Sequence, residues 1–198
     1  MEVFYHGTYR LFDQFDIAHL GEGEGKSKFG QGIYITSSYA TAALYAAKAG
    51  KANGVDTFYV YTLEVPDLTE DNHVFSCRPV NAAIVKRVED ALRTQIPAEV
   101  NEAGKLFRKY VGNLKAGKKG SVKQMMGKAD TEAENAASAL LRDLGVIYLA
   151  WPQAQTKPDG DTNRAVLDST LIKIVKIDQV HVDAKNKLIA ESITEVKR

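Results

Sequence analysis

Hydrophobic residues recur with two different periods along the chain, and the change of period separates strand-forming from helix-forming segments. Bulky and β-branched residues at 3–8 and 56–65 are typical of strands. Apolar runs at 146–151, 164–168 and 171–182 predict further strands. The pattern therefore places strands in the first and last thirds of the chain.

An alanine-rich segment from Ser38 to Ala49 has small apolar residues at helical spacing and includes Tyr45. Gly50 follows the segment, and glycine at this position is typical of a helix C-terminus. We therefore expect a helix that ends at Gly50.

Residues 79–144 have a helical pattern and separate the two strand-rich parts of the chain. One helical face is traced by four apolar residues, Val80, Ile84, Val88 and Leu92. Thr131 and Glu134 have the spacing of a capping box, which predicts the start of another helix. We expect an α+β protein with a single domain over 1–198 and an inserted helical subdomain at about 79–144.

Length and composition favour one globular domain, with 198 residues of which 44% are hydrophobic. The first residues lack a signal-peptide pattern, and no stretch approaches the roughly 20 apolar residues of a membrane helix. We expect a soluble, cytoplasmic protein that contacts no membrane. The single cysteine, Cys77, and four histidines show no zinc-ligand spacing, so we expect no metal site.

Basic residues are concentrated in one part of the predicted helical region. No acidic residue lies between Glu102 and Asp130, where eight basic residues occur: Lys105, Arg108, Lys109, Lys115, Lys118, Lys119, Lys123 and Lys128. Such a run is typical of a solvated face. It is also typical of a surface that binds nucleic-acid phosphates, for which Lys115, Lys118, Lys119 and Lys123 are the candidates.

The strongest chemical pattern combines a histidine, two tyrosines and glycine-rich backbone. His6 can reach a ribose hydroxyl, and Gly7 allows a ligand amide to approach the backbone closely. Tyr34 and Tyr45 can enclose a flat polar ring between them. These residue types together indicate a binding site for a nucleotide that carries an aromatic ring.

The segments His6-Gly7-Thr8 and Phe29-Gly30-Gln31-Gly32-Ile33-Tyr34, with Tyr45 eleven residues after Tyr34, resemble the ADP-ribosyltransferase superfamily. The resemblance is to its diphtheria-toxin-like and poly(ADP-ribose)-polymerase-like branch, whose signature is His-Tyr-Glu. The segment from Asn163 to Ile174 looks like the last-strand segment of that family. The resemblance covers roughly 3–65 and 145–180, and its motifs are specific in combination rather than singly.

This resemblance implies a split antiparallel sheet and NAD as the substrate. It implies catalytic roles for His6 and Tyr34. The residues it implies as NAD contacts are Gly7, Thr8, Gly32 and Tyr45. The glycine-rich loop at 21–28 would lie over NAD, with Lys26, Ser27 and Lys28 as candidate pyrophosphate contacts.

The chain departs from the family at the third signature residue. Asn163 stands where the glutamate-bearing members carry the acid. The site is then a His-Tyr-Asn variant, as in related toxin-like domains of phage and mobile-element polyvalent proteins, or an acid comes from elsewhere, with Asp161 and Glu64 as candidates. With an uncharged Asn163 we expect transfer of one ADP-ribose unit rather than chain building.

Three hypotheses about function follow. The first is an NAD-dependent mono-ADP-ribosyltransferase, a bacterial or phage toxin that modifies a macromolecule, with RNA or DNA slightly favoured over protein and an antitoxin as a further partner. The second is an NAD glycohydrolase. The third is an inactive module that binds NAD or ADP-ribose and acts through its basic helices.

Overall fold

The computed structural model describes residues 1–16, 30–154 and 162–197. Within these ranges, eight strands form one sheet: β1 (Glu2–Thr8), β2 (Ile33–Thr36), β3 (Phe58–Val65), β4 (His73–Phe75), β5 (Tyr148–Pro152), β6 (Thr162–Val166), β7 (Lys173–Val180) and β8 (Thr194–Glu195). The same ranges contain five α-helices: α1 (Tyr39–Ala52), α2 (Ala82–Leu92), α3 (Gly104–Lys115), α4 (Val122–Gly127) and α5 (Thr131–Asp143). The predicted mixture of helices with a mostly antiparallel sheet is confirmed.

The strand order is β4-β5-β6-β2-β1-β3-β7-β8, and β4 and β5 are the parallel pair. β1 pairs with β3 along its whole length, from Glu2 to Thr8. Among the described residues, β1 pairs with β2 only through Tyr5 and Thr36. The sheet therefore consists of two well-paired halves that meet at a short junction between its two N-terminal strands.

Helix α1 packs closely onto β1 and β3 because Gly7 has no side chain. A Cβ built on Gly7 would overlap the carbonyl oxygen of Ala42, which is buried on the inner face of α1. The helix begins after Ser38, whose hydroxyl accepts a hydrogen bond from the Thr41 N–H at 3.3 Å. Backbone contact at Gly7 thus sets the distance between α1 and the sheet.

The prediction that Gly50 ends this helix was wrong. Helix α1 continues to Ala52, and Asn53 is its C-terminal cap. Gly50 is buried, and a Cβ at this position would overlap the ring of Phe58 on β3. The glycine serves packing between helix and strand rather than helix termination.

Helices α2 to α5 lie between β4 and β5 in the chain and pack against the sheet. Phe107 and Leu141 belong to the same buried cluster as Leu149 and Leu167, which come from the strand region. This continuous apolar contact fixes the helices on one sheet face. No helix in the described ranges is long and apolar enough to cross a membrane.

The predicted capping box at the start of α5 was wrong, although the helix itself is present. Asp130 is the N-cap and accepts a hydrogen bond from the Ala133 N–H at 3.0 Å. Glu134 is buried and pairs with Arg108 of α3 instead of turning back to the helix start. Tertiary pairing with a buried guanidinium outweighs the local capping interaction.

Gly7→Ala should lower the free energy of unfolding by ~1–3 kcal/mol or more, because the added methyl forces α1 away from β1. Urea unfolding measures the change. Gly127→Ala is the matched control, since a Cβ there meets nothing within 4 Å, and it should stay within about 0.5 kcal/mol of wild type. Equal effects of the two substitutions would contradict the close helix–strand contact.

Candidate active site

Four residues form a row across four adjacent strands. Tyr5 of β1 is opposite Thr36 of β2, which is opposite Asn163 of β6, which is opposite Trp151 of β5. Cross-strand partners project from the same face of a sheet, and so do residues two apart on one strand. Tyr34 therefore shares this face with Asn163 and Trp151.

His6 is connected to Tyr34 by a direct hydrogen bond. The His6 Nδ1 atom lies 2.8 Å from the Tyr34 carbonyl oxygen. A carbonyl can only accept, so Nδ1 carries the hydrogen, and in the neutral ring Nε2 is an acceptor. The backbone of β2 thus selects one tautomer of the histidine.

Aromatic rings surround His6. Its ring meets that of Phe15 edge-on at 5.1 Å, and Phe12 and Tyr61 lie at 6.4 and 6.3 Å between ring centroids. The Tyr61 hydroxyl accepts the Phe12 N–H at 2.8 Å and so holds Phe12 against the cluster. Burial lowers the pKa of His6, and the bond to the Tyr34 carbonyl offsets part of this effect. His6 is therefore neutral near pH 7.

The side chains of His6 and Tyr34 project from opposite faces of the sheet. His6 is opposite Tyr61, one residue out of phase with the row that begins at Tyr5. The hydrogen bond between His6 and Tyr34 goes through the backbone of β2 at the point where its pairing with β1 ends. A ligand that contacts both side chains would lie at this opening between the two sheet halves.

Tyr34 is held at both ends of its ring. Its hydroxyl donates to the Gly30 carbonyl at 3.1 Å, and its ring meets that of Trp151 at 5.6 Å with an interplanar angle of 61°. Gly30 has a φ of 80°, and a Cβ there would overlap Ser138 and the backbone of Glu134. Only glycine fits this position, where the turn before β2 contacts helix α5.

Arg108 and Glu134 form a buried ion pair beside this turn, at 3% and 7% exposure. Burial lowers the pKa of Arg108 and raises that of Glu134, and each effect is offset by the attraction between the two charges. Removal of one partner from a buried pair costs about 3–5 kcal/mol, because the other charge is left uncompensated. The pair therefore holds α3 and α5 together next to Gly30.

The other predicted NAD contacts lie on different elements of the fold. Tyr45 is 54% exposed on α1, a helix that packs mainly on β1 and β3. Thr8 ends β1, and Gly32 precedes β2, where a Cβ would lie 3.0 Å from the Ala165 methyl. Among the remaining predicted residues, Lys26, Ser27, Lys28 and Asp161 lie outside the described residues.

The two candidates for the third catalytic residue that the structure describes, Asn163 and Glu64, lie on strands that are not neighbours in the sheet. Asn163 is 6% exposed and lies between Thr36 and Trp151. Glu64 lies on β3, opposite Val3 of β1, so β1 separates it from β2 and β6. Its carboxylate pairs with Lys173 at 2.7 Å. Asn163 lies on β6, which pairs directly with the strand that carries Tyr34, whereas Glu64 projects from the same face but is separated from β2 by β1.

The basic residues of the helical region differ in their partners. Lys118 pairs with Asp130 and Glu132, and Lys109 donates to the Gly127 carbonyl at 2.7 Å. In contrast, five exposed lysines form no ion pair within the described part of the chain: Lys105, Lys115, Lys119, Lys123 and Lys128. Only part of the basic run is therefore available to a partner.

Sequence reasoning missed Trp151 and the pair of Arg108 with Glu134. The alternation of Leu149 and Trp151 in one strand was visible, but their placement beside β6 depends on strand order. Arg108 appeared only as one of a basic run. Among the described residues, no group of three or more histidine, cysteine or acidic side chains could hold a metal ion.

The mostly antiparallel sheet with its packed helices is consistent with an ADP-ribosyltransferase fold, and comparison with known families agrees. The sequence model of the family described as ADP-ribosyltransferase in polyvalent proteins matches residues 1–179. The chain belongs to this family and is an ADP-ribosyltransferase, as the sequence motifs predicted. No curated protein and no solved structure gives a significant match.

Acidification should destabilise the folded protein through His6. A histidine in an unfolded chain has a pKa of about 6.5, whereas burial holds the pKa of His6 below its ordinary value in the folded state. As the pH falls through this window, the unfolded chain takes up the proton first, so the free energy of unfolding falls.

His6→Asn removes this titration and keeps an N–H group for the Tyr34 carbonyl. Urea midpoints measured from about pH 8 down to about pH 5 should therefore fall more steeply for wild type than for the variant. Parallel pH profiles for the two proteins would show that His6 does not titrate as its environment requires.

Proposed function

We propose that this enzyme transfers a single ADP-ribose unit from NAD to a macromolecule. The observation that carries the proposal is the hydrogen bond between His6 and the Tyr34 carbonyl. It joins the first two residues of the His-Tyr pattern at the opening between the sheet halves. Use of NAD as the ADP-ribose donor is general among ADP-ribosyltransferases, which supports NAD as the substrate here.

In the proposed complex, His6 accepts a hydrogen bond from a ribose hydroxyl through Nε2, which the tautomer leaves as the acceptor. The backbone of Gly7 binds the nicotinamide carboxamide, and the ring of Tyr34 packs on the nicotinamide. Thr8, Gly32 and Tyr45 border the same ligand, and Lys26 and Ser27 contact its pyrophosphate. These roles require positioning and fixed dipoles rather than a covalent intermediate.

The reaction breaks the bond between C1′ of the ribose and the nicotinamide nitrogen. Nicotinamide leaves with the bonding electron pair, and the acceptor attacks C1′ and loses its proton to solvent. Asn163 accepts a hydrogen bond from the ribose 2′-hydroxyl through its amide oxygen but adds no negative charge. This neutral contact supports one transfer per acceptor rather than chain growth.

The uncharged Asn163 also favours a second candidate, a module that binds NAD or ADP-ribose without turnover. Without a carboxylate, the developing positive charge on the ribose has less electrostatic stabilisation. Hydrolysis of NAD with water as acceptor needs the same groups as transfer. Product analysis distinguishes these alternatives.

The acceptor we propose is nucleic acid, and the exposed lysines of the helical region support it. Lys115, Lys119 and Lys123 have no acidic partner within the described residues and are available to bind phosphates. We propose that the helices at about 79–144 are an insertion that recognises the target. We further propose that the protein acts as a toxin or effector and that an antitoxin neutralises it.

The catalytic assignment is tested with NAD labelled in its ADP-ribose part, incubated with RNA, DNA and protein. His6→Ala and Asn163→Ala should each reduce transfer about 100-fold or more, whereas Glu64→Gln should stay within about twofold of wild type. If Glu64→Gln abolishes transfer and Asn163→Ala does not, the third residue is on β3. Release of free ADP-ribose without labelled macromolecule indicates a glycohydrolase, and binding without turnover indicates the inactive module.

The acceptor assignment is tested by a triple variant in which Lys115, Lys119 and Lys123 become glutamine. Its binding to RNA or single-stranded DNA should have a salt dependence flatter by up to about three units of slope, because each lost phosphate contact removes roughly one. Lys118 is retained because it pairs with the N-cap of α5.

The matched control replaces three other exposed lysines, Lys48, Lys185 and Lys187, and changes the net charge equally. It should bind nucleic acid like wild type. If both triple variants behave alike, or if label on the natural target is released by protease and not by nuclease, the acceptor is not nucleic acid bound at this surface.

A further inference from the structure

Trp151 lies next to the third residue of the proposed site. It is opposite Asn163 across the β5–β6 pairing, and its ring projects from the face that carries Tyr34. Trp151 is partly buried and packs against the apolar cluster that includes Leu149. Its position places a large, electron-rich ring beside the groups proposed to hold the ribose.

The contact between Trp151 and Tyr34 spans a whole strand. β6 lies between β2 and β5, and neighbouring strands are about 4.8 Å apart. The two rings nevertheless meet at 5.6 Å between centroids, because Ala165, the β6 partner of Tyr34, has only a methyl side chain. A small residue between two large ones creates an aromatic corner over β6.

One wall of this corner is fixed independently of any ligand. The Tyr34 hydroxyl donates to the Gly30 carbonyl, and Gly30 is fixed against Ser138 of α5. The angle of 61° between the rings leaves them as two inclined walls rather than a closed stack. Such a corner suits a flat ring that lies against one wall and meets the other at its edge.

We propose that Trp151 contacts the nicotinamide ring of NAD and, with Tyr34, forms the aromatic walls of its site. The inference rests on the proposed function of this site and adds a substrate-binding residue to it. The nicotinamide ring of NAD is a cationic pyridinium, and indole is the side chain that attracts cations most strongly through its face. The contact favours NAD over ADP-ribose, which lacks the ring.

Trp151 is the only tryptophan in the chain, so its fluorescence reports on this position alone. Wild-type protein is titrated with NAD, ADP-ribose and nicotinamide, with excitation at the red edge where tyrosine does not absorb. Calorimetry measures binding of the same compounds independently. NAD and nicotinamide should quench the emission, whereas bound ADP-ribose should leave most of it unchanged.

Substitutions provide a second measurement. Trp151→Leu should raise the KM for NAD about tenfold, and Trp151→Phe should raise it less, because a ring remains. The affinity for ADP-ribose should be unchanged in both variants, which a general loss of folding would not allow. Tyr148→Phe is a control on the same strand, since the Tyr148 hydroxyl donates to the Pro66 carbonyl away from this face, and its KM should equal that of wild type.

If NAD binds, but NAD and ADP-ribose change the Trp151 emission equally, the role of Trp151 is overturned and the proposed function is left intact. An unchanged KM in Trp151→Leu has the same meaning. Failure of NAD to bind at all overturns the proposed function, and the role of Trp151 with it. Quenching by nucleic acid but not by nicotinamide places Trp151 on the acceptor side and overturns the assignment.

Discussion

The hydrogen bond from His6 to the Tyr34 carbonyl is the interaction on which the site depends. Within the described residues, β1 and β2 pair only at Tyr5 and Thr36, and the hydrogen bond lies next to this pair. A continued ladder would satisfy the backbone of both strands and leave no opening for a ligand. The histidine instead occupies one backbone acceptor, becomes locked in one tautomer, and connects the two halves of the sheet.

A second constraint couples the helices to this junction. Gly30 adopts a positive φ and contacts α5 with no room for a side chain, while its carbonyl accepts the Tyr34 hydroxyl. The same turn of α5 carries Glu134, which is paired with Arg108 of α3. Helix α3, which carries Lys115, therefore also supports the turn that orients Tyr34, through its ion pair with α5. A displacement of α5 would therefore move the Tyr34 side chain through these direct contacts.

Much of the fold was predictable because local patterns and tertiary contacts agree. The strand at 56–65 and the helix that starts after Ser38 follow the hydrophobic period and the cap residue. The predictions for Gly50 and Glu134 were wrong for one reason. Each residue has a tertiary partner, a ring of β3 for Gly50 and a buried guanidinium for Glu134, that outweighs its local preference.

The sequence by itself determined the chemistry of the first strand, the spacing of the tyrosines and the family to which the chain belongs. It could not determine which side chains meet, because strand order is decided by the packing of segments far apart in the chain. Only the tertiary structure placed Asn163 between Thr36 and Trp151, and placed β1 between Glu64 and the strand that carries Tyr34. Local residue preferences are short-ranged, whereas an active site is assembled by long-range pairing and burial.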